Sequence, residues 1–399
     1  MKARKLLKGI VVIALIALLY KICDRPQSHI ISQNTIHAKF DSIKEKKTMP
    51  KEVGINIDAS GSMKGYFISD QPEFSGQLAN LVGMFDKKEV FFVDNPQPYK
   101  GLITDIISDL RNQPHRAVTD FDKLLAKMCH KVESGRVEFL ITDGIMSVGK
   151  TTPKALKELG YAVRDSLKHF SVAVAIFKFE SEFKSDIKKN VGYWTCKEIY
   201  KPINVSSRPY YVIAVGTKED IRALMDNKLG AKEEIYFGIH DHKGHSTNSQ
   251  AEEKDSQLEV GDDPVILNAT LPQCLSKLGK HFFEEMTEVY LNDDKVPPSA
   301  YGNKIIDEAG DINVVISQDA TKGIPLVADP MTGYVKFTVK VRNEIPEAWT
   351  ILNSDDDSYI DTDIEQQQKT YGLLTLIKGI KDALDPYDYL LDLKFYFKP

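Results

Sequence analysis

The chain has 399 residues, 42% of them apolar and 27% charged, with a formal net charge of -5. Length and composition are those of an ordinary globular protein with enough residues for two or three cores. The near-balanced charge, with no basic block interleaved with aromatics beyond the N-terminus, excludes a sequence-independent nucleic-acid binder.

The first 23 residues stand apart. Met1-Lys2-Ala3-Arg4-Lys5-Leu6-Leu7-Lys8 is basic and Gly9 to Tyr20 is apolar, which is the order of a secretory signal. Tyr20-Lys21-Ile22-Cys23 is bulky and charged and offers no small-x-small cleavage site. Residues 1–23 are therefore expected to be a signal anchor, a single membrane helix with a cytoplasmic N-terminus. Lys8 and Lys21 would snorkel to extend its short apolar core. The remaining domains would then lie outside the cytoplasm, in a periplasm or at a cell surface. Secretion after signal cleavage is the alternative. Residues 24–51 read as a polar, membrane-proximal linker. Cys23, Cys129, Cys196 and Cys274 have no metal-binding spacing and read as isolated thiols, with one bridge among the last three left open.

Val53 to Ile57 is a short apolar run and predicts a buried strand. It stops at Asp58-Ala59-Ser60-Gly61-Ser62, a polar, Gly-containing loop at the strand's carboxyl end. Phe74 to Phe85 has helical spacing, Glu89 to Val93 predicts a strand, and Tyr99 to Ile103 another. A helix over Thr104 to Arg111 ends before Pro114. Thr119-Asp120 then precedes an amphipathic helix carrying Phe121, Leu124, Leu125 and Met128, and Val137 to Ile141 is a strand running into Thr142-Asp143-Gly144. Pro153 to Leu167 predicts a helix and Ser171 to Phe177 a strand. Lys178 to Arg208 reads as an irregular polar insertion, followed by a strand over Tyr210 to Val215 and a helix over Lys218 to Asn227. Strands alternating with helices predict one α/β domain over 52–228, a doubly wound, mainly parallel sheet with helices on both faces.

Residues 229–259 read as a flexible polar linker. His240, Asp241, His242 and His245 within it are read as a solvated loop rather than a transition-metal site. From 260 to 399 the pattern predicts a second, mainly β domain. Its strands are expected at Pro264 to Leu271, Asp311 to Ser317, Tyr334 to Arg342 and Leu390 to Phe397, with a helix over Tyr371 to Ala383.

Asp58, Ser60 and Ser62 follow the first strand, Thr119 begins a helix, and Asp143 follows a later strand. In a doubly wound sheet, loops at the carboxyl ends of neighbouring strands converge on one edge. Together the five side chains supply hard oxygen ligands suited to Mg²⁺ or Mn²⁺. The stretch from Val53 to Asn227 resembles the von Willebrand factor type A (vWA) domain family. Its metal-ion-dependent adhesion site (MIDAS) has the pattern Asp-x-Ser-x-Ser, then a Thr, then an Asp, on a Rossmann-like fold. Asp58-Ala59-Ser60-Gly61-Ser62 and Ile141-Thr142-Asp143-Gly144 carry the match, while Ala117-Val118 stands where the family often has Gly-Gly.

The resemblance implies that Ser60, Ser62 and Thr119 bind the metal through their hydroxyls, and Asp58 and Asp143 directly or through water. It further implies a bacterial, membrane-anchored protein-binding module that captures a partner's carboxylate, for adhesion or complex assembly. Two alternatives stand beside it: a metal-dependent phosphohydrolase and a scaffold component of a membrane complex. Phosphoryl transfer wants a nucleophile or base and cations around the phosphate. Only Lys64, His115 and Arg116 lie near in sequence, and no nucleophile with an orienting partner stands out, so the binding module is preferred to an enzyme. Trp349 after Pro346, and Asp355-Asp356-Asp357, would supply a second interaction surface.

Overall fold

The computed structural model describes residues 34–39, 49–68, 72–93, 95, 97–112, 119–132, 136–146, 153–195, 197, 199–225, 229–239, 265–270, 278, 280–304, 311–316, 330–331 and 335–397. The expected membrane segment over 1–23, the polar stretch from 240, and Cys23, Cys196 and Cys274 lie outside them; Cys129 is buried. No described helix is long and apolar enough to cross a membrane.

Strand β1 (Glu52–Ile57) is the second strand from one edge of a six-stranded sheet. Both its faces are covered, since Val53 through Ile57 are all buried, and the one polar side chain among them, Asn56, donates to Glu138 Oε2 at 2.8 Å and Phe139 O at 3.0 Å. It runs parallel to β2 (Lys87–Phe92) on one side and to β3 (Val137–Thr142) on the other, with Ile55 opposite Val90 and Phe139. Beyond β3 the neighbours become antiparallel. β4 (Ala173–Phe183) and β5 (Val205–Gly216) form a long hairpin, β5 lies against β3, and β6 (Glu233–Phe237) lies against β4. The order is β2-β1-β3-β5-β4-β6. The fold is mixed α/β: four of the six strands, β1 to β4, point one way and β5 and β6 the other, so that three of the five pairings are antiparallel.

Helices flank this sheet: α1 (Lys64–Phe67), α2 (Pro72–Gly83), α3 (Ile106–Asn112), α4 (Phe121–Val132), α5 (Pro153–Leu167) and α6 (Lys218–Met225). The antiparallel half corrects the expected irregular insertion over Lys178 to Arg208. From residue 178 the side chains alternate, with Phe179, Ser181 and Phe183 buried and Lys178, Glu180 and Glu182 half-exposed, the period of a strand with one wet face. The strand expected over Tyr99 to Ile103 is absent; Tyr99 makes a single backbone bond to Val90 O, at 2.7 Å.

A second core lies among two four-stranded sheets. One orders Asn34–Lys39, Val265–Thr270, Asp311–Ile316 and Tyr301–Lys304; the other orders Asp294–Lys295, Thr287–Leu291, Val335–Arg342 and Tyr389–Phe397. Helix α7 (Lys280–Met286) adds Phe283 and Met286 to that core. Three stretches cross the expected domain limits: β6 (Glu233–Phe237), inside the expected polar linker over 229–259, is a strand of the six-stranded sheet. Asn34–Lys39, inside the expected linker over 24–51, pairs in parallel with Val265–Thr270. Between the strands Val335–Arg342 and Tyr389–Phe397 the chain leaves the second core, and Trp349, Leu352, Ile360, Tyr371, Leu376 and Ile380 join the core of the six-stranded sheet. Helix α8 (Leu373–Leu384) carries an apolar stripe at Leu373, Leu376, Ile377 and Ile380 that is covered only in this way. It meets α5 so closely that a Cβ on Gly379 would lie 2.7 Å from Gly160 O.

Candidate metal centre

Parallel neighbours end at the same edge, so the loops after β1 and β3 meet there. Asp58 N donates to Ile141 O at 2.9 Å, which seats the first loop against the end of β3. The Asp58 carboxylate then gathers its surroundings. Oδ1 accepts from Ser60 N at 2.8 Å, and Oδ2 accepts from Thr119 Oγ1 at 3.0 Å and from Thr142 Oγ1 at 2.8 Å. Ser60 and Ser62 hydroxyls lie 3.2 Å apart. Asp143 Oδ1 accepts from Ile145 N at 3.1 Å.

Asp58, Ser60, Ser62, Thr119 and Asp143 therefore stand in one cluster. Thr119 stands one residue before the N-cap position of α4, where Asp120 O accepts from Leu124 N, and its hydroxyl donates to Asp58. Thr142 is the member that motif spacing does not single out. Its position beside Asp143 is the only signal, and its hydroxyl both donates to Asp58 and accepts from Gly144 N at 3.1 Å.

Thr142 is fully buried, Asp58 and Asp143 are 2% and 3% exposed, and Ser60, Ser62 and Thr119 are the shallowest members, at 7–8%. Burial pushes the Asp58 carboxyl above its ordinary range, against the hydrogen bonds from Ser60, Thr142 and Thr119. Burial also pushes Asp143 up to about 6, with the negative charge of Asp58 adding to the rise and Ser62, the Ile145 amide and Arg208 opposing it. Asp143 Oδ2 is buried with no hydrogen-bond partner among the described residues. A buried carboxylate oxygen left bare costs free energy unless something positive meets it.

Nearby cations are committed elsewhere. Arg208, buried, donates to Gln367 O at 2.6 Å and Lys369 O at 3.2 Å and lies over the Tyr193 ring at 4.6 Å. Lys64 Nζ donates to Arg111 O at 3.5 Å; His115 and Arg116 lie outside the described residues. The segment that Arg208 holds also braces the Asp143 loop: Met146 N donates to Tyr371 O at 3.1 Å, and the Tyr211 and Thr370 hydroxyls meet at 3.1 Å. Gly144 has φ +71°, and a Cβ there would press on the Tyr211 ring at 2.9 Å, so this turn beside Asp143 needs glycine.

The donor set fits a hard divalent cation: two carboxylates, one oxygen of which is bare, and three hydroxyls with no soft ligand. Among the described residues no three His, Cys, Asp or Glu side chains gather into a metal-holding group. The acidic run at 355–357 is used within its own fold. Asp355 Oδ1 accepts from Asn353 Nδ2 at 2.8 Å, Asp356 Oδ1 from Ser358 N at 2.9 Å, and Asp357 Oδ2 from the Tyr193 hydroxyl at 3.0 Å. No family model matches this chain, and no curated protein or solved structure does.

Proposed function

We infer that this chain is a metal-dependent protein-binding module of the vWA kind, holding Mg²⁺ or Mn²⁺ at a MIDAS-type site to capture a carboxylate of a protein partner. The observation that carries the reading is the bare, buried Asp143 Oδ2 beside a second buried carboxylate and a pair of adjoining serine hydroxyls. Ser60, Ser62, Thr119 and Asp143 would hold the ion. Asp58 would work mainly by orienting, since both its oxygens already accept hydrogen bonds from Ser60 N, Thr119 and Thr142. When bound, a cation held largely by neutral hydroxyls stays electron-poor and offers a position to an outside carboxylate oxygen. The burial supports this order, with Asp58 and Asp143 beneath and Ser60, Ser62 and Thr119 toward the outside. The N-terminal basic and apolar stretch would anchor the module to a membrane.

Calorimetric titration of the full chain with Mg²⁺ and with Mn²⁺ tests the metal. Saturable binding is expected, lost in the Ser60→Ala/Ser62→Ala double variant; equal binding by that variant overturns the reading. The docking half is tested by partners that co-purify with the wild type and are released by a chelator. Co-purification indifferent to chelator and to the double variant contradicts it.

A further inference from the structure

At the opposite end of the sheet from β2, β6 (Glu233–Phe237) is the edge, with no further strand paired to it among the described residues. An edge strand turns every second N–H and C=O outward, a ready template for one more strand unless something guards it. A groove of about 260 Å³ runs along the whole of this strand, with His281, Phe282 and Glu285 of α7 and Pro346 and Trp349 among its other lining residues. It is smaller than a cavity that encloses a drug-sized ligand, which takes roughly 300–1,000 Å³. A peptide lying along a sheet edge needs only one side inside.

The charge around the groove is one-sided. Glu233, Glu234, Glu285 and Glu344 line it, with Lys232 the only Lys or Arg in the lining, and that ammonium is spent on Glu180. Glu344 is paired with Arg342 at 2.7 Å and Glu285 accepts from Glu347 N at 2.9 Å, but Glu233, exposed, and Glu234, half-buried, lie on the edge strand itself and meet an arriving segment, while Ile235, Tyr236 and Phe237 are buried along the strand. Opposite charges facing one another across paired strands stabilise the pairing, and like charges oppose it.

We propose that this groove is a second docking site, independent of the metal centre, that takes an extended basic peptide segment by adding it as a strand beside β6. Main-chain hydrogen bonds to the β6 edge would supply affinity, and Glu233 and Glu234 would select lysine or arginine on the incoming segment.

The probe is a short fluorescent peptide alternating lysine and valine, titrated into the full chain in the presence of a chelator, so that the metal centre plays no part. Saturable binding is expected, at least about tenfold weaker for the glutamate–valine version and for the same lysine peptide with alternate amides N-methylated. The Glu233→Lys/Glu234→Lys variant, altered at positions that are not buried, is expected to reverse the preference between the two charge versions. Equal affinity for lysine and glutamate peptides, indifference to N-methylation, or no binding overturns the proposal, and leaves the glutamates as guards of an exposed edge. Because metal is absent throughout, failure here leaves the metal reading untouched, and failure there leaves this one standing.

Discussion

Two buried carboxylates in the same sheet are treated in opposite ways. Glu138, on β3 toward its amino end, is fully buried and compensated. Arg136 Nε lies 2.5 Å from Oε1, Lys131 Nζ 3.3 Å from Oε2, and Asn56 Nδ2 donates to Oε2 at 2.8 Å. Gly54 on β1 leaves room for it, since a Cβ there would overlap Glu138 Oε1. At the carboxyl end of the same strand, Asp143 and Asp58 are buried together with hydroxyls and amides but no ion pair among the described residues. The difference separates structure from function: a compensated buried charge fixes the fold, whereas an uncompensated pair awaits a cation.

The largest test of that contrast is to break the compensated end. Arg136→Met leaves Glu138 without its closest cation and is expected to cost about 3–5 kcal/mol in chemical denaturation, the same difference from the wild type with and without Mg²⁺. At the other end, Mg²⁺ at a hundred times its dissociation constant should stabilise the wild type by about 2.7 kcal/mol, read as an upward shift of the thermal midpoint that the Arg136→Met protein retains. Thr142→Val removes one donor from Asp58 with little change of shape and is expected to cost about 1–3 kcal/mol, with weaker Mg²⁺ affinity in the same titration.

The smallest effect is that of pH. Asp143 is raised in the fold from 3.8 to about 6, so the folded protein holds a proton that the unfolded chain has already lost. Without metal, that contribution to stability is present below about 3.8 and is lost as pH rises through about 6. Stabilisation by Mg²⁺ should grow over the same window, because the ion competes with that proton. Denaturation curves at several pH values, with and without Mg²⁺, check both slopes.

How much of this was legible in the sequence varied with distance along the chain. The run Val53 to Ile57 ending at Asp58 displays a buried strand and its polar loop locally, and Pro153–Leu167 is a helix in pattern and in structure. Asp58, Ser60, Ser62, Thr119 and Asp143 fall together because β1 and β3 are parallel neighbours. The role of Thr142 was hidden, since a threonine ending a strand is ordinary until its hydroxyl is seen on Asp58. The insertion of β5 between β3 and β4 is a choice among pairings that no local pattern encodes. Helix α8 shows its apolar stripe plainly, but nothing in residues 373–384 says that the stripe belongs to the first core rather than the second. Arg208 likewise reads as a polar loop residue until Gln367 and Lys369 arrive to accept its hydrogen bonds.

The most direct measurement is the stability of Asp143→Asn beside the wild type near neutral pH, each with and without Mg²⁺. The variant keeps the side chain's shape and removes a buried charge that has no cation of its own. It is expected to be more stable than the wild type in chelator and to gain nothing from Mg²⁺. A variant less stable than the wild type in chelator that still gains from Mg²⁺ as the wild type does would contradict the account, because Asp143 would then be neither uncompensated nor part of a metal site.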